Sequence, residues 1–159
     1  MRCPLIAGAA LGLSLLFILS AQARIDDTET DLEQRYGKAK ESKDGYNERH
    51  KVRLYEISDY IIMVDVLDGR SASEFFTRKG GEPFSNTEIN TLLAANQLNG
   101  QWTNTMGNDL VGWWEYDLNH ILNAYRDNHS GSFVIRSYAF RTFEKTARAE
   151  SEKSKLKGF

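Results

Sequence analysis

Apolar positions along this chain follow two periods. In the run YIIMVDVL, Tyr60, Ile62, Val64 and Val66 fall on one side of an extended segment, and Ile61, Met63 and Leu67 fall on the other. A strand apolar on both sides belongs in the interior of a sheet. Over 86–95 the period changes. Ile89, Leu92 and Leu93 recur at i, i+3 and i+4, which predicts a helix with one apolar face. Ser85 and Glu88 supply the Ser-x-x-Glu spacing of a capping box, and Phe84 with Ile89 has the spacing of a hydrophobic staple. Asn96 and Gly100 supply the stop, Asn because it tolerates the left-handed conformation that ends helices.

The same signature occurs once more, 57 residues earlier. Thr28 and Asp31 stand where Ser85 and Glu88 stand, Leu32 and Tyr36 where Ile89 and Leu93 stand, and Gly37 gives the stop. Strand patterns follow both copies. The charged stretch 38–48 reads as a loop around Asp44-Gly45. His50 to Ile57 and Arg70 to Arg78 then flank the central strand, with Asp68-Gly69 as a hairpin turn and Phe75 and Phe76 on opposite faces. After the second helix, 99–108 reads as irregular or briefly extended. The segments 110–116, 120–127 and 132–140 read as strands, the second of them also compatible with a short helix. The stretch 142–157 is rich in Glu, Lys and Arg, and predicts a solvated helix or a frayed tail. The order is α-βββ-α-βββ, an α+β fold with an antiparallel sheet, since no crossover helix separates successive strands. It suggests an internal duplication of 28–78 and 85–138 within a domain spanning 24–141, followed by a charged tail, 142–159.

The first 23 residues predict a signal peptide. Arg2 precedes an uncharged apolar run from Leu5 to Leu19, and Ala21-Gln22-Ala23 is a small-x-small cleavage pattern. Cleavage after Ala23 makes Arg24 the mature N-terminus and an exported, periplasmic or secreted protein the expectation. Removing 23 of 159 residues leaves 136, enough for one domain. The sole cysteine, Cys3, leaves with the signal, so disulfides, cysteine metal sites and cysteine nucleophiles are excluded. The remaining 19 basic and 22 acidic residues give no basic face, which argues against nucleic acid and anionic membrane surfaces as partners, and no stable membrane insertion of the mature chain is expected.

The capped helix, its aliphatic pair, the glycine or asparagine stop and the following strand-turn-strand resemble a repeat of the β-lactamase-inhibitor-protein type, whose unit fold also occurs in small outer-membrane assembly lipoproteins. Residues 28–37 with 60–69, and 85–96 with 113–125, carry the likeness over most of the mature chain. The chain lacks the disulfides and the lipidated cysteine of those proteins. The resemblance therefore implies a non-catalytic, protein-binding scaffold of the cell envelope, with another envelope protein as its partner, rather than an enzyme inhibitor or a membrane anchor.

Candidate chemistry is sparse. His50, His120 and His129 lack metal-binding spacing, and no Gly-x-Ser-x-Gly or phosphate-binding glycine loop is present. No cofactor or metal is expected. Glu115, Asp117 and His120 could assemble a hydrolytic or metal site in space, and this keeps a small envelope hydrolase or glycan-binding module as the alternative to a non-enzymatic scaffold. The concentrated feature is aromatic: Trp102, Trp113, Trp114, Tyr116 and Tyr125 lie within 24 residues. Trp and Tyr dominate binding hot spots, so these five are the candidate binding patch; the alternative is that Trp113 and Trp114 are both covered, one by the helices and one by the tail or the 99–108 loop. Adjacent Trp113 and Trp114 on a strand must face opposite sides, so one of them can enter the core while the other faces away from it.

Overall fold

Helix starts fall where the capping boxes place them. A computed structural model of the chain describes residues 24–97, 100–108, 111–116 and 121–157. Helix α1 spans Glu29–Tyr36 and helix α2 spans Asn86–Ala95. At α1 the Thr28 hydroxyl accepts from the Asp31 amide at 3.2 Å, and the Asp31 carboxylate accepts from the Thr28 amide at 3.0 Å. At α2 the Ser85 and Glu88 pair makes the same reciprocal bonds at 3.3 and 2.9 Å. Each box satisfies two amides that a helix start leaves unpaired. Glu88 also accepts from Tyr60 and Arg78. Partial burial works against its ionisation, but these donors outweigh it and hold the carboxyl at about 2.

Asn96 ends α2 by a different route from the one expected. Its φ is −96°, outside the left-handed region. Its side chain makes the stop instead, donating to the Leu92 carbonyl and accepting from the Ile25 amide at 2.9 Å. That second bond ties the N-terminal segment to the end of α2.

The strands are β1 (Glu41–Asp44), β2 (His50–Ile57), β3 (Tyr60–Leu67), β4 (Arg70–Arg78), β5 (Trp102–Gly107), β6 (Val111–Tyr116), β7 (Leu122–Asp127) and β8 (Ser132–Ser137). They form one antiparallel sheet in the order β1-β2-β3-β4-β8-β7-β6-β5. Each of these two helices is thus followed by four strands rather than three. The first added strand, β1, lies within the charged stretch read as a loop. The other, β5, lies within 99–108. Both are edge strands, mostly exposed and without an alternating apolar pattern, so pairing to β2 and β6 makes them strands where period cannot. β3 lies between β2 and β4, as its two apolar faces require. Asp68 and Gly69, with φ of 53° and 80°, make the tight turn that joins β3 to β4.

The third helix, α3, spans Tyr138–Leu156 and begins inside the segment read as a last strand. Ser137 is its N-cap, accepting from the Phe140 amide at 3.1 Å. This cap ends β8 earlier than its apolar composition suggests. From Thr142 to Leu156 the chain is helix rather than frayed tail.

Residues paired directly across strands project to the same face. One face carries Tyr55, Ile62, Val64, Phe76, Phe133, Ile135 and Ala124. These join Leu32 and Tyr36 of α1, and Ile89 and Leu93 of α2, in a single buried core. Helix α3 lies on the other face, where Phe140 and Phe143 pack edge-on against His50 and Glu144 pairs with Arg136 at 3.5 Å. Among the described residues no helix is long and apolar enough to cross a membrane.

Candidate functional site

Strand parity divides the aromatic patch between the two faces. Tyr116 is 1% exposed on the α1/α2 face, and its hydroxyl accepts from the Gly100 amide at 2.5 Å. Trp102 packs against it at a tilt, ring centroids 5.1 Å apart, and donates its indole N–H to the Leu93 carbonyl at 2.7 Å. Trp114 lies on the same face, edge-on to Phe133 at 6.0 Å and under the Arg126 guanidinium at 5.9 Å. Its ring covers Gly112 so closely that a Cβ there would come within 2.4 Å of it. Tyr116 is buried, and Trp102 and Trp114 are partly buried against the core on that face. Trp113 and Tyr125 point the other way and pack together, ring centroids 4.5 Å apart.

The pair belongs to a longer row. Leu54 opposes Met63, Met63 opposes Phe75, and Phe75 opposes Val134 across the middle of the sheet. Val134 opposes Tyr125, Tyr125 opposes Trp113, and Trp113 opposes Met106 on the edge strand. Seven consecutive strands thus contribute one apolar side chain each to a continuous ribbon. Six are half-buried, and Met106 is 67% exposed. Helices α1 and α2 pack on the opposite face, and α3 approaches this one over β4 and β8.

Helix α3 docks on the neighbouring row, through His50 and Arg136. That row runs through Asp65, Ser73, Arg136, Asn123 and Glu115. His50, 3% exposed, anchors the contact. Its Nδ1 accepts from the Tyr46 amide at 3.0 Å, so its Nε2–H donates to Asp65 Oδ1 at 3.0 Å. Burial raises the Asp65 carboxyl above its ordinary range, against the opposing pull of the His50 hydrogen bond. A His–Asp pair invites a catalytic reading, but here both ring nitrogens are occupied and Phe140 and Phe143 cover the ring. No lone pair remains to accept a proton from a nucleophile. The pair serves to dock α3 and the 45–49 loop on the sheet.

No family model matches the chain, and no curated protein matches it. Among solved structures, a cysteine-rich secretory protein from Staphylococcus aureus subsp. aureus Mu50 is similar at a TM-score of 0.47 and 8% identity. The match covers 73% of this chain and 44% of that one.

Of the other candidate residues, Glu115 is half-buried on the open face beside Trp113. Asp117 and His120 lie outside the described residues. His129 sits in the β7–β8 turn, where its amide donates to Asp127 at 2.9 Å. Among the described residues no three His, Cys, Asp or Glu side chains are grouped to hold a metal ion. Leu54, Met63, Phe75 and Val134 escaped the sequence reading as site residues. Their alternation within each strand was visible, but the row exists only through register.

Proposed function

We propose that this protein is an exported, non-enzymatic binding scaffold, and that the open face of its sheet is the surface that engages another envelope protein. The ribbon from Leu54 to Met106 carries this reading. A contiguous apolar strip with aromatic members has the composition of an interface core. Trp113 against Tyr125 is the natural anchor, because paired aromatics at the centre of a contact dominate binding energy.

The scaffold reading includes a duplication. Its support is the two capping boxes at matching places, each followed by a four-stranded meander, and the mirrored strand order about the β4–β8 pair. On this view the ribbon crosses both units and no single unit holds the whole surface. The export reading rests on the apolar 5–19 run and the Ala-Gln-Ala pattern. N-terminal sequencing of protein recovered from the producing cells is expected to start at Arg24, and an intact Met1 overturns it.

The binding surface is tested by placing a photo-crosslinking residue at Val134, with exposed Glu33 on α1 as the control. A discrete heterologous adduct is expected from Val134 and not from Glu33. Trp113→Ala is expected to weaken partner binding by about thirtyfold, the loss of about 2 kcal/mol typical of a central aromatic anchor, with little change in Tm. Equal adducts from both sites, or loss of stability without loss of binding in Trp113→Ala, sinks the reading.

A further inference from the structure

The two edges of the sheet occupy mirrored places and are built differently. Edge strand β1 is four residues long, and its sequence Glu-Ser-Lys-Asp carries a charge at three of four positions. Short length and charge are the usual means of keeping an edge from pairing with another chain. Set against itself in antiparallel register, β1 would also bring Glu41 opposite Asp44. Edge strand β5, Trp-Thr-Asn-Thr-Met-Gly, is longer and has neither charge nor proline. Thr103 through Gly107 are all exposed. Strand β5 pairs with β6 on one side, and among the described residues no strand pairs with its other side. The apolar ribbon also runs out to this edge, ending on Met106 at 67% exposure.

From this asymmetry we infer that the β5 edge is a self-association site, where two copies of the chain pair antiparallel through β5 into one continuous sheet. Pairing about a twofold axis normal to the sheet keeps both open faces on the same side. The exposed Met106 of one ribbon then meets the end of the other, and two apolar rows become one. An uncharged strand meets itself without like-charge repulsion, and Thr side chains suit cross-strand contacts. The shift of register between Asn104 and Met106 twists the strand locally. Assembly stops at two copies because the remaining edges are the charged β1 strands. The inference builds on the open-face reading, since joining the rows enlarges the surface assigned to the partner.

The chain makes this directly testable, since Cys3 is its only cysteine. In a Cys3→Ser background, single substitutions Thr103→Cys, Asn104→Cys and Thr105→Cys are oxidised and compared with Ser42→Cys in β1. At least one β5 position is expected to give a disulfide-linked dimer, and Ser42→Cys none. Light scattering of the unmodified protein over a dilution series is expected to give twice the monomer mass. The double substitution Thr103→Lys/Thr105→Lys is expected to return it to monomer with its circular dichroism unchanged. Monomer at every concentration, cross-linking through Ser42→Cys alone, or a dimer indifferent to the lysines overturns the proposal. Trp113→Ala separates the two readings: it is expected to lose the heterologous partner while the dimer persists, whereas a monomeric wild type that still gives the Val134 adduct defeats only the dimer.

Discussion

Replacing Glu74 with glutamine is expected to stabilise the fold, by an amount that grows with pH. Glu74 lies on the α1/α2 face of β4 and is 0% exposed. It opposes Val64 and Ile135, apolar neighbours on both sides. Its Oε1 accepts from the Tyr36 hydroxyl at 3.2 Å, and its Oε2 has no hydrogen-bond partner. Burial is the dominant influence and pushes the carboxyl up to about 8. Arg35 and the Tyr36 hydroxyl pull it down, but Arg35 is already paired with Asp27, whose own charge pushes Glu74 up. An acid whose folded value lies above its ordinary 4.5 binds more protons folded than unfolded. Stability therefore falls as pH rises from about 4.5 to about 8, and stays at the lower level beyond. The shift corresponds to a loss of roughly 3–5 kcal/mol across that window. The glutamine of Glu74→Gln has no charge to bury and keeps an acceptor for Tyr36. Urea unfolding at pH 5, 7 and 9 is expected to show nearly equal stability at pH 5 and a gap of several kcal/mol at pH 9. Asp65 contributes to both proteins alike and drops out of the difference, whereas the charge of Asp27 acts on Glu74 and is part of it. A gap independent of pH means that Glu74 is not held neutral by its surroundings.

Phe133→Ala is expected to cost about 3–5 kcal/mol, while Val134→Ala next to it costs about 1 kcal/mol or less. Phe133 is 0% exposed and lies at the centre of an aromatic cluster, with Phe76 at 6.4 Å, Phe84 at 6.2 Å and Trp114 at 6.0 Å. Truncating it removes contacts to strands on both sides and to the segment that leads into α2, leaving a cavity in the core. Val134 points to the open face, where solvent can fill the space left by its methyl groups. Denaturant midpoints of the two variants measure the contrast. Comparable costs at the two positions would mean that the open face is covered as tightly as the helical one.

The two predictions turn on different depths of reading. The parity of Phe133 and Val134 is a property of extended backbone, and the sequence alone separates their faces. The burial of Glu74 is not legible in that way. Within Arg-Ser-Ala-Ser-Glu-Phe-Phe the acid shares a face with Phe76, but whether that face is dry depends on α1, far earlier in the chain, closing over it through Tyr36. The same contrast holds for the aromatic patch. Sequence brought together five aromatics by proximity along the chain. The fold keeps Trp113 and Tyr125 together, turns Trp102, Trp114 and Tyr116 to the helical face, and joins the first pair to Leu54, Met63 and Phe75 from the other half of the chain.

What this sequence determines by itself is local: two helix starts, the tight Asp68-Gly69 turn, the interior place of β3 and the side of its strand each residue takes. Capping, turn geometry and two-residue alternation act over a few neighbouring residues, so the residues that cause them are adjacent in the text. Only the tertiary structure decided that eight strands form one sheet, that β1 and β5 are its edges, and that Ser137 ends β8 to begin α3. It also decided which apolar face the helices cover. Register between strands as distant as β4 and β8, and the docking of α3 through His50, Phe140 and Phe143, depend on contacts between residues far apart in the chain, and no local period encodes them.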